Sequence, residues 1–431
     1  MTVQDMRREN PLLREKVLYR KIEPGLTAFV QPKRGFKKKY AVLATNFGSI
    51  DSEFAVQGEE GRVKVPDGVA HFLEHKLFEY EGGSVTDDFS RLGASSNAFT
   101  NFNNTAYLFS CTDNFREGLE LLLDFVQDPY FTQETVEREK GIIGQEIRMY
   151  EDNPQWRLFF NLLNGLYREH PVKIDIAGTV ESIGQITPEI LHQCYRTFYH
   201  PSNMAFFAVG DFNAGEVLEQ VEANIKKRDY QTLGDIRRYY PEEPQAIHQK
   251  RVAEKMVVSQ PLFYLGFKDG DQGYNGERLF RKDIVTEVLL DIIFSSSSKL
   301  YNGLYEEGLI DDSFSASFSG HQDYGHVIVG GETRDPDALY GRILEGIRDF
   351  RDRGIGAEDF ERQRKKLTGQ FLRDFNSLEF IANNYLAYYF RHIDMFKYIE
   401  ILEKLQVEDV QERLEGLLRE DNNAVSVVEP A

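Results

Sequence analysis

Residues 136–148, "VEREKGIIGQEIR", return in altered form at 360–373 as "FERQRKKLTGQFLR", with Glu-Arg at 137 and 361 and Gly-Gln at 144 and 369 after one residue of slip. A second echo follows in the same order: "ITPEILHQCYRTFYHPSNMAFFAVGDF" at 186–212 is answered by "LQVEDVQERLEGLLREDNNAVSVVEP" at 405–430. Two ordered matches about 220 residues apart predict a duplicated domain. Each copy combines helix-period segments with strands rich in β-branched and aromatic residues. The expected class is therefore α+β, two homologous domains that each pack a mainly antiparallel sheet with helices. A chain of 431 residues is also long enough to divide into two cores of about 200 residues each. The polar stretch 226–259, with Pro241 and Pro244, reads as the linker between an N-terminal domain, 1–225, and a C-terminal one, 260–431.

Outward from the repeat, the first copy can be read element by element. "GLTAFVQ" (25–31) and "YAVLATNFGS" (40–49) predict two strands of a hairpin, and the basic "PKRGFKKKY" between them reads as its solvated turn rather than a phosphate-binding patch. "VAHFLEHKLFEY" (69–80) is placed on a helix, with Asp67 and Gly68 at the N-cap. "SVTDDFSRLGA" predicts a second helix ending at Gly93, and "SSNAFTNFNNTAYLFSCT" (95–112) a strand pair turning at "NFNN". Helices are expected over "NFREGLELLLDFVQD", "QETVEREKGIIGQEIRMYED" and "TPEILHQCYRTFY", and a strand over "NMAFFAVGDF".

Composition excludes several roles. A formal charge of −19 would repel phosphates over most of the surface, so no nucleic-acid partner is expected. No apolar run nears the ~18 residues of a membrane span, and the polar start "MTVQDMRRENPLLREK" has no leader-like core. Two cysteines, Cys111 and Cys194, in so large a chain point to a reducing compartment, and hence to a cytoplasmic protein.

The chemistry lies in "HFLEH", residues 71–75. On a helix His71 and His75 share a face, with Cβ atoms about 5–6 Å apart, and can aim two imidazoles at one Zn²⁺. Glu74 would project beside the ion, placed to take a proton from water. A polar face on an ordinary helix is the competing reading, and a third ligand is needed to decide. The helix at 133–151 offers Glu134, Glu137, Glu139, Glu146 and Glu151, of which Glu139 and Glu146, seven apart, share a face. Where the first copy has Glu146 the second has Phe371, and nothing in the second half resembles "HFLEH", so any such site belongs to the first domain alone.

"GVAHFLEHKLFE", "LGASSNAFTNFNNTAYLFS", "EREKGIIGQEIRMYEDNP" and "HPSNMAFFAVGDF", in this order across residues 25–215, resemble the successive signatures of the insulinase/pitrilysin family of zinc metallopeptidases, which use the H-x-x-E-H, or inverzincin, pattern. The resemblance is to bacterial cytoplasmic members with two domains in one chain. It implies one Zn²⁺ per chain held by His71, His75 and Glu146, with Glu74 as general base and Glu139 in a supporting position behind the ligands. It also implies that Asn97, Ala98 and Phe99 line an edge strand to which a peptide adds as a further strand. Manganese or cobalt would suit the same ligands. His170, His192 and His200 read as structural, Trp156 as core, and Asp152 and Asn153 as a helix stop.

The chain departs from the family in one stretch. Active members resembling it carry, in the C-terminal half, an Arg and a Tyr seven residues later that meet the substrate. In "LYNGLYEEGLIDDSFSASF" Tyr305 takes the place of the Arg, and Asp311 or Asp312 that of the Tyr. A developing oxyanion would lack its tyrosine donor. Some bacterial members resembling this chain work in pairs, one chain bearing zinc and the other the Arg and Tyr. Each chain then forms a half-shell, and two facing half-shells enclose a chamber that admits peptides. The expectation is a zinc-dependent endopeptidase acting on peptides or small unfolded precursors. Its partner would be a homologous non-zinc chain, with a homodimer as the other arrangement. The alternative from another class is a non-catalytic peptide-binding or assembly subunit of a maturation complex.

Overall fold

The computed structural model describes residues 6–10, 13–58 and 61–431. Residues 1–5 and 11–12 of the polar start, and 59–60 of the acidic loop, lie outside the described residues. The chain forms two compact units, and they are not contiguous in sequence: the first takes 1–147, 175–239 and 374–390, the second 148–174, 240–373 and 391–431.

The first unit is built on seven strands, β1 (Met6–Asn10), β2 (Glu15–Ile22), β3 (Leu26–Pro32), β4 (Lys39–Thr45), β5 (Ser95–Thr100), β6 (Thr105–Cys111) and β7 (Met204–Gly210). Their order is β1-β2-β3-β7-β4-β6-β5. All neighbours are antiparallel except β3 and β7. The expected hairpin of β3 and β4 is therefore not formed. β7 lies between them, pairing Phe206 with Ala28 on one side and Leu43 on the other. The physical reason is burial: every residue of β7 is buried, and so apolar a strand gains most at the sheet centre. The basic loop that follows β3 contains a turn, though not that of a hairpin, and its Lys33 is paired to Glu15 at 2.6 Å rather than left in solvent.

Both faces of this sheet are apolar, with the period of two that a strand imposes. Ala28, Val30, Ala41, Leu43, Phe206 and Ala208 point into the main core. That core is closed by α1 (Val69–Leu77), α2 (Val85–Arg91), α3 (Phe115–Val126), α4 (Gln133–Glu151) and, after α5 (Pro154–Leu166), by α6 (Pro188–Phe198) and α7 (Ala214–Ile225). The helix α5 belongs to the other unit. The intervening residues of the sheet face a helix from the far end of the chain, α8 (Leu378–Phe390). Phe29 packs on Tyr385 and Tyr389 with centroids 4.9 and 5.1 Å away, and Phe207 on Tyr385 at 4.8 Å. Tyr40 Oη donates to Asn383 at 3.0 Å, and Tyr389 Oη to Thr27 at 2.9 Å.

The second unit repeats the topology with five strands, β8 (Arg251–Met256), β9 (Leu262–Lys268), β10 (Ser315–Gly320), β11 (Gly325–Glu332) and β12 (Asn423–Pro430). The order β8-β12-β9-β11-β10, with only β8 and β12 parallel, reproduces β3-β7-β4-β6-β5. One face is covered by α5 from the first half of the chain. Leu158 packs with Leu262 and Val428, and Arg157 and Asn161 both bond Glu254 at 3.1 and 2.7 Å. Gly266 lets the helix approach, since a Cβ there would stand 2.8 Å from Leu166 Cδ1.

The two copies thus exchange a helix, and the boundaries 1–225 and 260–431 are crossed by α5 and α8. The expected linker 226–259 is itself partly structured: Ile236–Arg238 pairs with Glu53–Val56, and β8 begins at Arg251. Each sheet has two apolar faces, and each copy's second face is covered by a helix from the other half of the sequence. We predict that Tyr385→Ala destabilises the first unit by about 3–5 kcal/mol, as a large-to-small core change does. Urea unfolding, compared with Phe207→Ala, should show similar losses although the two residues lie in opposite halves of the chain.

Candidate metal centre

α1 opens at Gly68, whose φ of 90° and whose closeness to Ala177 O, 2.4 Å from an ideal Cβ, admit only glycine. This start sets the rotation of the helix, burying Val69, Ala70, Phe72 and Leu73 and turning His71 and His75 towards α4. The two imidazole centroids are 4.6 Å apart and inclined at 62°. Glu146 of α4 reaches both, with Oε1 3.8 Å from His71 Nε2 and Oε2 3.4 Å from His75 Nε2. Ligand atoms of the three residues all lie within 4.8 Å of one another, and among the described residues no other group of three does so.

The second nitrogen of His75 explains why these donors converge. Nδ1 donates to Glu139 Oε1 at 2.9 Å, so a neutral His75 keeps its lone pair on Nε2. That lone pair then faces a carboxylate oxygen at 3.4 Å, two acceptors opposed unless a cation stands between them. A tetrahedral zinc site with ligand bonds of roughly 2.0–2.2 Å has donors about 3.3–3.5 Å apart, so the spacing fits zinc after slight contraction. His71 is pushed down to about 4, first by burial and then by His75, and is neutral as a ligand must be. Burial also works to lower His75, but the hydrogen bond and charge of Glu139, with Glu146 and Glu74, outweigh it and leave it raised. A proton on Nε2 then stands where a metal would.

Glu74 is held next to these donors. Its Oε2 accepts from Thr100 Oγ1 of β5 at 2.6 Å, and burial, ahead of other causes, raises its pKa. A carboxylate so placed is a stronger base than an exposed one. The residues expected to hold a peptide lie on β5, at the open edge of the sheet. Asn97, Ala98 and Phe99 stand opposite Leu108, Tyr107 and Ala106 of β6, and the Asn97 side chain accepts from the Ala98 N–H at 2.9 Å.

The other acidic residues of α4 do not take part: Glu134, Glu137 and Glu151 are exposed, and Glu137 binds Lys140 at 2.7 Å. His170 and His200 accept from Val172 N and Ser202 N at helix starts, and His192 packs on Phe131 at 5.0 Å. Trp156 is half-buried rather than core, stacked on Tyr150 at 4.4 Å, because its stretch lies at the N-terminal end of α5. Asn153 does more than stop α4, since its side chain caps α5. Sequence reasoning missed Thr100 and Lys76. Strand alternation, which places residue 100 on the same side as Ala98, was the available signal for the first. In the second unit the equivalents are inert: Gln363 is buried and bonds Ser297 at 2.8 Å, and Phe371 stacks on Tyr398 at 4.2 Å. Tyr305 is exposed and lies parallel to Tyr301, and Asp311 accepts from Ser313 N at 2.9 Å.

Residues 64–180 match the family model described as Insulinase (Peptidase family M16), and 185–367 the one described as Peptidase M16 inactive domain. The "Uncharacterized zinc protease YmfH" of Bacillus subtilis is 46% identical over 97% of both chains. The chain belongs to peptidase family M16. The crystal structure of a putative M16-like peptidase from Alicyclobacillus acidocaldarius, 38% identical, superposes with a TM-score of 0.93 over 100% of this chain and 99% of that one. The periplasmic protease PqqL of Escherichia coli shares the fold, at 17% identity and a TM-score of 0.74, and this chain covers 48% of it. His71, His75 and Glu146 of this M16 chain fall within the first matched segment, and Phe371 lies just beyond the second. No helix among the described residues is long and apolar enough to cross a membrane.

Because a proton on His75 Nε2 must leave before a metal binds, zinc affinity should rise as pH increases through the raised His75 value, above its usual 6.5 or so. Glu139→Gln removes the partner that raises it. The rise should then occur at lower pH, with a plateau about 10–100-fold weaker. Chelator competition between about pH 6 and 8 measures both.

Proposed function

We propose that this M16 chain is a zinc-dependent endopeptidase acting on extended peptides or small unfolded precursors. The observation that carries the reading is the convergence of His71, His75 and Glu146, with Glu74 half-buried beside them and, one hydrogen bond away, β5, the last strand of its sheet among the described residues. One zinc per chain, held by the two Nε2 atoms and a Glu146 oxygen, would supply the Lewis acidity that polarises a scissile carbonyl and makes water acidic. Glu74 takes the proton of the attacking water and passes it to the leaving nitrogen. Asn97, Ala98 and Phe99 hold the peptide by main-chain pairing on β5, which asks little of its sequence. Glu139 keeps His75 in the tautomer that leaves Nε2 free.

The absence of an Arg/Tyr pair at Tyr305 and Asp311 or Asp312 supports a partner, because a tetrahedral oxyanion needs a donor beyond the metal. The partner we propose is a homologous non-zinc chain that supplies the pair and closes a chamber around the peptide. A homodimer would then show weak activity. The same absence favours, as second reading, a non-catalytic peptide-binding or assembly subunit, against which stands the full set of four site residues. Cys111 and Cys194 are free and buried, which supports a cytoplasmic location.

Purified protein should carry zinc near one per chain. With the partner supplied, Glu74→Gln should keep that zinc and lower peptide hydrolysis by about 10²–10⁴-fold. Unchanged hydrolysis would remove Glu74 as the base, and a zinc-free wild type would end the enzyme reading. Equal activity of the isolated chain and the pair would refute the split site.

A further inference from the structure

We propose that Thr100 is a positioning residue for Glu74, so that the strand expected to hold the peptide also sets the orientation of the base. The inference rests on the function proposed above and adds a residue to it. Thr100 is the last residue of β5, and its Oγ1 lies 2.6 Å from Glu74 Oε2. Behind it, Thr105 Oγ1 is 3.2 Å away, fully buried and 3.0 Å from Phe47 O. The buried hydroxyls of Tyr107 and Tyr199, 2.8 Å apart, lie in the same core.

Proton counting fixes the direction of the Thr100 hydrogen bond. An ionised carboxylate only accepts, so Thr100 gives Glu74 its single proton, while the single proton of Thr105 goes to Phe47 O and its oxygen packs 3.2 Å from the Thr100 hydroxyl. The terminal torsion of a glutamate is otherwise broad, without a sharp staggered minimum. The Thr100 bond fixes it, commits Oε2, and leaves proton transfer to Oε1. Thr100 also pairs directly with Thr105 in the β5–β6 register. A peptide added along the open edge of β5 would hold this end of the strand in place, and with it the carboxylate. Docking and base orientation are thereby coupled through one side chain.

Thr100→Val keeps the shape and removes the hydroxyl, whereas Thr100→Ser keeps the hydroxyl. With the zinc-bound pair of chains, Thr100→Val should lower kcat by about 10- to 100-fold while KM stays within about two-fold. Thr100→Ser should stay close to wild type, and zinc content should be equal in all three. An unchanged kcat, a rise in KM alone, or failure of serine to restore activity would overturn the assignment. Crystal structures of the zinc-bound chains provide a readout without turnover: Glu74 in one orientation in wild type and Thr100→Ser, rotated or spread in Thr100→Val. If wild type with its partner hydrolyses no peptide, the proposed function falls, while identical Glu74 orientations in all three structures would overturn the positioning role itself.

Discussion

The imidazole of His75 is clamped between two carboxylates of a single helix, and the site depends on that clamp. Glu139 and Glu146 are seven residues apart, about 10.5 Å along α4, and they meet the ring on its two nitrogens. A one-turn slip of α4 against α1 would take both away together. The arrangement is also costly without a cation. Glu139 is 8% exposed, and the desolvation of a carboxylate is repaid only when its partners are complete. Zinc or a proton on Nε2 completes them.

The charge around the centre makes the same demand. Glu74, Glu139 and Glu146 crowd one end of α1, the first and last half-buried, and Lys76 beside them has no exposure at all. Burial pushes Lys76 down to about 8, although Glu139 opposes the shift. Lys76 bonds Glu79, which also binds Arg138 of α4, so a second tie joins the same two helices. The local charge stays negative, as a site for a divalent cation should.

Most of the site was legible in the sequence because a helix fixes which residues share a face. His71 with His75 and Glu139 with Glu146 are spacings of four and seven, and each pair needs only its own helix to be read. That Glu146 meets both histidines, and not Glu134, Glu137 or Glu151, came from the family resemblance, since no local pattern separates these carboxylates. For Thr100 alternation gives only the side of the strand, shared with Ala98, and not its partner Glu74, which lies 26 residues earlier on another element.

The fold divides along the same line. The sequence by itself determined the duplication, the helices and strands of each copy, and the replacement of Glu146 by Phe371 in the second copy, all local or repeated patterns. It read β3 and β4 as a hairpin because chain neighbours usually pair, and it drew contiguous domains because apolar periodicity says that a face is buried but not by what. Only the tertiary structure decided that β7 enters between those strands and that α5 and α8 change places between the units. Two-faced apolar sheets can be satisfied by any helix of suitable face, and the choice among helices is made by packing across the whole chain.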